Sequence, residues 1–183
     1  MATNSALVRV AVTGAVSVGA TTATAPTGTA SALTGFNDLG LVGEDGVTES
    51  RGRSTNDIKA WQGGQTVRTV VTDATLTYHF TLLETKKETV ELYYGSDVTQ
   101  TATEGSLTVV PSSTGGRKSF VLDVVDGSEL LRVYVPQGEV TEVGDRVYAN
   151  GDPIGYECTL TAYNDATLGG SAKVWATALK TAA

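Results

Sequence analysis

The chain is 183 residues long (18.9 kDa) with 40% apolar residues, enough for the core of one domain and far from the composition of a disordered segment. Thirteen Lys and Arg stand against 20 Asp and Glu, a net charge of −7, the opposite of the basic face that duplex-DNA binders use to neutralise phosphates. A single cysteine, Cys158, excludes an intrachain disulfide and a cysteine-cluster metal site, and a single histidine, His79, excludes His-pair zinc chemistry.

The first residues lack a basic n-region, and Arg9 interrupts the first apolar run, so no secretory signal is expected. Residues 10–37 are uncharged, yet they are rich in Thr, Gly, Ser and Ala and contain Pro26, too polar for a hydrocarbon core. The expectation is one soluble domain over residues 1–183, made in a reducing compartment. Val8, Val10, Val12, Val16 and Val18 share one parity, which predicts a strand with one buried face and a bulge at Gly14. Residues 20–49 then read as a long loop or arm. Ordering them costs about 1–2 kcal/mol per residue in backbone entropy, and Leu33, Phe36, Leu39 and Leu41 are the large apolar side chains on hand to offset it. The segment is expected to be mobile or held from outside the chain, with these four residues as its candidate inter-subunit contacts.

An extended polar stretch over 47–62 ends at Ile58 and Trp61 and turns at Gly63-Gly64. Residues 65–83 are the strongest strand. Leu76, Tyr78, Phe80 and Leu82 fall on a core face, where burial of each contributes roughly 1.5–3 kcal/mol, and Thr75, Thr77, His79 and Thr81 fall on the other. A helix is predicted over 85–95, with Thr85 and Glu88 as a capping box, Val90, Tyr93 and Tyr94 on one face, and Gly95 as terminator. A polar loop over 96–105, a short strand at Leu107–Val110 and a turn at Pro111–Gly116 come next. Alternation at Phe120, Leu122 and Val124, the Asp126-Gly127 turn and Leu130–Val135 form a hairpin. Residues 138–146 read as polar. Ile154–Tyr163 is a strand whose buried side carries Cys158, and a last strand covers 172–179. The fold class is all-β, a mostly antiparallel β-sandwich or barrel with one short α-helix.

Chemistry is thinly represented. His79 has no nucleophile or orienting carboxylate near it in sequence, Cys158 shares parity with core residues, and the carboxylates of Glu44-Asp45 and Glu139, Glu142 and Asp145 lack metal-loop spacing. No phosphate-cradling glycine motif or hydrolase signature occurs, so no cofactor, metal or enzymatic activity is expected. Open sheet edges and a long loop without an inner partner instead describe a candidate subunit of a closed ring.

Arg53-Ser54-Thr55-Asn56-Asp57-Ile58-Lys59-Ala60-Trp61-Gln62, Val67-Arg68, Phe80-Thr81-Leu82-Leu83-Glu84-Thr85 and Leu92-Tyr93-Tyr94-Gly95 together resemble the major tail tube proteins of long, non-contractile-tailed phages, and most those of phages infecting actinobacteria. The resemblance is specific over residues 47–95 and a matter of strand pattern after 105. It implies the tail tube protein fold and hexameric rings in which four strands per subunit close an inner β-barrel. It further implies stacking into a hollow tube that holds the tape-measure protein and later passes the genome without specific binding. The tail terminator and distal tail protein are implied as partners. It also implies a virion tail location after synthesis in the host cytoplasm, with no membrane role. The row Asp73, Thr75, Thr77, His79 and Thr81 is then the candidate lumen wall, and an acidic, hydroxyl-lined wall suits passage of a polyanion. The competing reading is a carbohydrate- or receptor-binding β-sandwich on a virion or cell surface, which would expose clustered aromatics; a hydrolase is a third.

Overall fold

A computed structural model describes residue 4 and residues 7–180. In chain order the elements are β1 (Thr13–Gly19), β2 (Phe36–Asp38), β3 (Val42–Lys59), β4 (Thr66–Leu82), α1 (Lys87–Tyr94), β5 (Thr99–Gln100), β6 (Gly105–Ser106), β7 (Lys118–Asp126), β8 (Glu129–Val143), β9 (Tyr156–Ala162) and β10 (Lys173–Ala176), followed by a single 3₁₀ turn at Thr177–Leu179. All pairings are antiparallel. The main sheet runs β2-β1-β7-β8-β9-β4-β3, with β10 pairing the first half of β8 where β9 pairs the second. The sheet curls until β1 comes against β3, and the enclosed face is the core.

That core is built by alternation. Tyr78 faces Leu160, Phe80 faces Cys158 and Leu82 faces Tyr156 across β4 and β9, and all six are buried. Leu76, one residue pair further out, is half-buried against the same cluster. Val16 and Val18 of β1, Phe120 and Leu122 of β7, and Val133, Val135 and Val140 of β8 complete it. Helix α1 covers one end with Thr89 and Leu92. Gly138 is buried where a Cβ would come within 2.7 Å of the Phe120 ring and 2.8 Å of the Leu160 side chain, so β8 needs glycine there to let the two core side chains meet.

Several expectations are corrected. The first strand is shorter than the valine parity suggested: Val8, Val10 and Val12 precede β1 and are exposed. The segment is held along the end of β7 by Val12 N–H to the Val125 carbonyl, Val10 N–H to the Asp126 carboxylate, and Arg9 beside Asp126 and Glu129. Gly14 makes no bulge. It pairs in register with Val124, and a Cβ there would come within 2.5 Å of the Asp123 carbonyl oxygen. The helix starts without the capping box; its N-cap is Lys86, with no side-chain cap, while the Thr85 hydroxyl accepts from the Tyr156 hydroxyl at 3.0 Å. Gly95 does end it, in the left-handed region at φ 61°. No strand forms at Leu107–Val110. The polar reading of 138–146 fails as well, since β8 continues to Val143 with Val140 in the core.

The largest correction concerns residues 20–49. Leu39 is fully buried in the core and its N–H bonds the Val16 carbonyl. Phe36 stacks edge-on against Tyr134 at 6.4 Å. The loop before β2 lies over the outer face of β1, β7 and β8, where buried Arg132 donates to the carbonyls of Gly28 (3.1 Å) and Ser31 (2.7 Å) and pairs with Asp123 at 2.6 Å. The Ser119 hydroxyl donates to the Ala20 carbonyl. Most of the segment is therefore held from within the chain. Leu33 is half-buried, and Leu41, 65% exposed, is its apolar side chain left facing outward.

Candidate assembly surfaces

Three surfaces are left without a partner inside the chain. The first is a sheet face. On β4, the side opposite the core carries Thr77, His79 and Thr81; directly across β9 lie Thr161, Thr159 and Glu157. Across β3 lie Ser50 and Thr48, opposite Thr77 and His79. On β8, Glu139 faces Thr161 and Glu142 faces Thr159. The Thr141 and Thr161 hydroxyls are 2.7 Å apart, and His79 Nε2 is 2.8 Å from Glu157 Oε1. Four adjacent strands, β8-β9-β4-β3, thus share one half-exposed to exposed polar face rich in hydroxyls and carboxylates. Of the five residues the sequence places in this row, Thr77, His79 and Thr81 sit on it. Asp73 and Thr75 are on the same strand but further out, opposite Ser54 and Gly52.

The second surface is that outward extension. Pairing of β4 with β9 stops at Thr77, while β3 and β4 stay paired to Lys59 and Thr66. Beyond the body the two strands form a ribbon that at roughly 3.3 Å per residue reaches ~35 Å. Every residue from Thr48 to Lys59 and from Thr66 to Thr75 is exposed, on both faces. Gly63 and Gly64 make the turn with φ of 81° and 68°, conformations that glycine adopts without strain. Trp61 at the tip is 97% exposed. The outer edge of β3, last in the sheet, pairs with nothing among the described residues. An isolated two-stranded ribbon is marginal in water, and a long open edge invites further pairing. The sequence gives the extended stretch and the glycine turn but no period-two burial to show that the ribbon leaves the body.

The third surface is at the opposite end of the sheet. The loop over 144–155 joins β8 to β9 beside the Leu82 end of β4, away from the ribbon tip. Arg146 points inward and donates to the hydroxyls of Tyr94 (2.8 Å) and Tyr156 (2.9 Å). Burial works against its charge, but the hydrogen bond to Tyr94 and the neighbouring tyrosines outweigh that and raise its pKa. Asp145, Val147, Tyr148 and Asp152 are left exposed on the outside of the loop, Tyr148 at 71%. The two most exposed aromatics, Trp61 and Tyr148, stand at opposite ends and form no platform for stacking a sugar.

The residues singled out for chemistry are not brought together. Cys158 is on the core side of β9, the face away from His79, and burial, with Glu157 adjacent, pushes its thiol up to about 12. Among the described residues no group of three His, Cys, Asp or Glu is placed to hold a metal ion, and no helix is long and apolar enough to cross a membrane.

The molecule is thus an antiparallel β-protein whose notable features are bare sheet face, open edge and projecting ribbon. Residues 1–181 match the family described as phage tail tube protein, and the chain belongs to that family. Its role is a structural one in the phage tail tube. No curated protein matches it. Among solved structures, it is similar to a chain from the tail of an empty GTA particle computed with helical refinement in C6 symmetry. The two are 10% identical with a TM-score of 0.41, over 90% of this chain and 96% of that one.

Proposed function

We propose that the chain assembles with copies of itself into hexameric rings that stack into the tail tube, the conduit for genome delivery. The observation that carries this reading is the bare polar face of β8, β9, β4 and β3, backed on its other side by the core and bounded by the open edge of β3. A continuous wall can be built by setting such four-stranded patches side by side, because closure removes the edges that a lone subunit exposes. The ring number of six follows the family resemblance. At −7 per subunit a ring carries about −42, a charge that repels phosphates and lets DNA slide.

In this reading Thr77, His79 and Thr81 line the lumen, with Asp73 and Thr75 continuing the row along the ribbon. Leu41 is the contact that the 20–49 segment offers a neighbouring subunit. The tape-measure protein occupies the lumen before DNA does, and the tail terminator and distal tail protein bound the tube. The subunit is made in the host cytoplasm and ends in the virion. Residues 47–95 support kinship with the tail tube proteins of phages infecting actinobacteria. Electron microscopy of the purified protein tests the reading. Six-fold rings or hollow tubes are expected; monodisperse monomers that bind glycans would replace it with a receptor-binding module.

A further inference from the structure

We propose that Asn150 is a site of spontaneous deamidation, where the side-chain amide condenses with the Gly151 backbone nitrogen and water opens the resulting ring to a negatively charged residue. The reaction needs only this chain and water, and it is independent of the tube reading. In the first step the Gly151 nitrogen gives up its proton to base and bonds to Asn150 Cγ. The Cγ–Nδ2 bond breaks, ammonia leaves, and a cyclic imide remains. In the second step water adds to one of the two imide carbonyls. Breaking the Cγ–N bond yields aspartate; breaking the backbone C–N bond yields isoaspartate, with an extra methylene in the main chain. Water is taken up, ammonia is released, and nothing is oxidised or reduced. Either product adds a carboxylate to the chain.

Sequence is the first reason. Asn150 is followed by Gly151, whereas Asn4 precedes Ser5, and Asn37, Asn56 and Asn164 each precede an aspartate. Glycine has no Cβ to crowd its nitrogen, while a following aspartate adds both a side chain and a negative charge that opposes loss of the amide proton. Local structure is the second reason. Asn150 and Gly151 lie in the loop over 144–155, outside any strand or helix, and both are exposed. Among the described residues neither the Asn150 side chain nor the Gly151 N–H has a hydrogen-bond partner. Gly151 has φ of 96°, and nothing lies within 4 Å of where its Cβ would stand, so the amide and the nitrogen are free to approach each other. The other asparagines are held differently. Asn37 and Asp38 pair with Val18 and Ser17 of β1, Asn56 and Asp57 pair with Val70 and Thr69 of β4, and the Asp165 N–H donates to the Gly170 carbonyl at 3.0 Å. Anchoring of the loop is the third reason. The Gly144 N–H donates to the Glu157 carbonyl, Arg146 is held by the hydroxyls of Tyr94 and Tyr156, and Ile154 packs against the core. The change therefore falls between fixed ends and leaves the fold intact.

The test incubates the full purified chain at mildly alkaline pH. Isoelectric focusing, peptide mapping by mass and labelling with an isoaspartyl methyltransferase follow the products. A more acidic species is expected to build up, faster as the pH is raised, with exchange of the amide for a carboxylate at residue 150 and the methyl label in the same peptide. The thermal unfolding midpoint stays at its starting value. Asn150→Ser removes both signals at this peptide, and Gly151→Val, which keeps the amide but crowds the nitrogen, removes most of the acidic species. The same ring formed at Asp45-Gly46 or Asp126-Gly127 leaves the charge unchanged, and Gln62-Gly63 must close a larger ring and does so more slowly. The acidic shift, mapped to its peptide, thus reads Asn150. A wild-type chain that gains no acidic species, an acidic species that forms as fast in Asn150→Ser, or deamidation that maps first to another residue overturns the assignment.

Discussion

Arg132 carries more of the structure than its place in a β-strand suggests. Its guanidinium is buried, makes a two-point pair with Asp123 (Nε at 2.6 Å, Nη2 at 2.8 Å) and donates to two carbonyls of the loop before β2. Charge-assisted bonds of this geometry are strong, and removing one partner leaves the others desolvated. Arg132→Met is expected to cost about 2–4 kcal/mol by chemical denaturation and to release amide-exchange protection over 20–35 before the core opens; unchanged protection there would show that the loop is held otherwise. Cys158 yields a prediction of different sign. Burial raises its thiol from 9.0 to about 12, so the unfolded chain ionises first as pH climbs. The stability tied to the neutral thiol is complete below pH 9 and is lost between there and pH 12. At pH 8 the native thiolate fraction is about a thousandfold below that of a free thiol of the same reference pKa. Alkylation of the folded protein should therefore be slowed by that order, and should reach the free-thiol rate in denaturant.

At the scale of elements, the ribbon separates folding from assembly. Arg51 pairs with Leu76, and nothing between them is buried. Replacing residues 52–75 by Asn-Gly converts the ribbon to a tight hairpin. Stability should stay within about 1 kcal/mol, as for surface changes that leave the core intact, while tubes no longer form; loss of cooperative unfolding would mean the ribbon belongs to the folding unit. This element also marks where the sequence stopped being informative. β4 was readable because four large side chains alternate along its inner half. The ribbon was not, because a segment with no buried face has no period to read, and Trp61 resembles a core residue until its exposure is seen. The 20–49 segment misled for the converse reason. What holds it is Leu39 together with backbone carbonyls that accept from Arg132, over a hundred residues away in the chain, and carbonyls leave no mark in a residue string. The polar face of β4 could be named from parity, but its companions on β8 and β9 required the register.

For the whole molecule, the distribution of charge matters more than its total. The exposed ribbon mixes Arg51, Arg53, Lys59 and Arg68 with Glu49, Asp57 and Asp73, while Glu139, Glu142 and Glu157 border the hydroxyls of the bare face. If that face is the wall of a conduit, its chemistry should be nearly irrelevant to folding and assembly and decisive for transport. Glu142→Lys with Thr159→Lys changes neighbouring positions on the face away from the core, so subunits should fold and tubes should form. The wall would then attract phosphates. Each lysine–phosphate contact releases condensed counterions, so the drag on DNA should be greatest at low salt and fade as salt rises. Tails built from this variant are expected to release DNA slowly in low salt and to regain the wild-type rate in high salt. Glu142→Gln with Thr159→Gln, which adds no positive charge, should behave as wild type throughout. DNA release from the lysine tails at the wild-type rate in low salt would put this face outside the channel, even if the tubes themselves were sound.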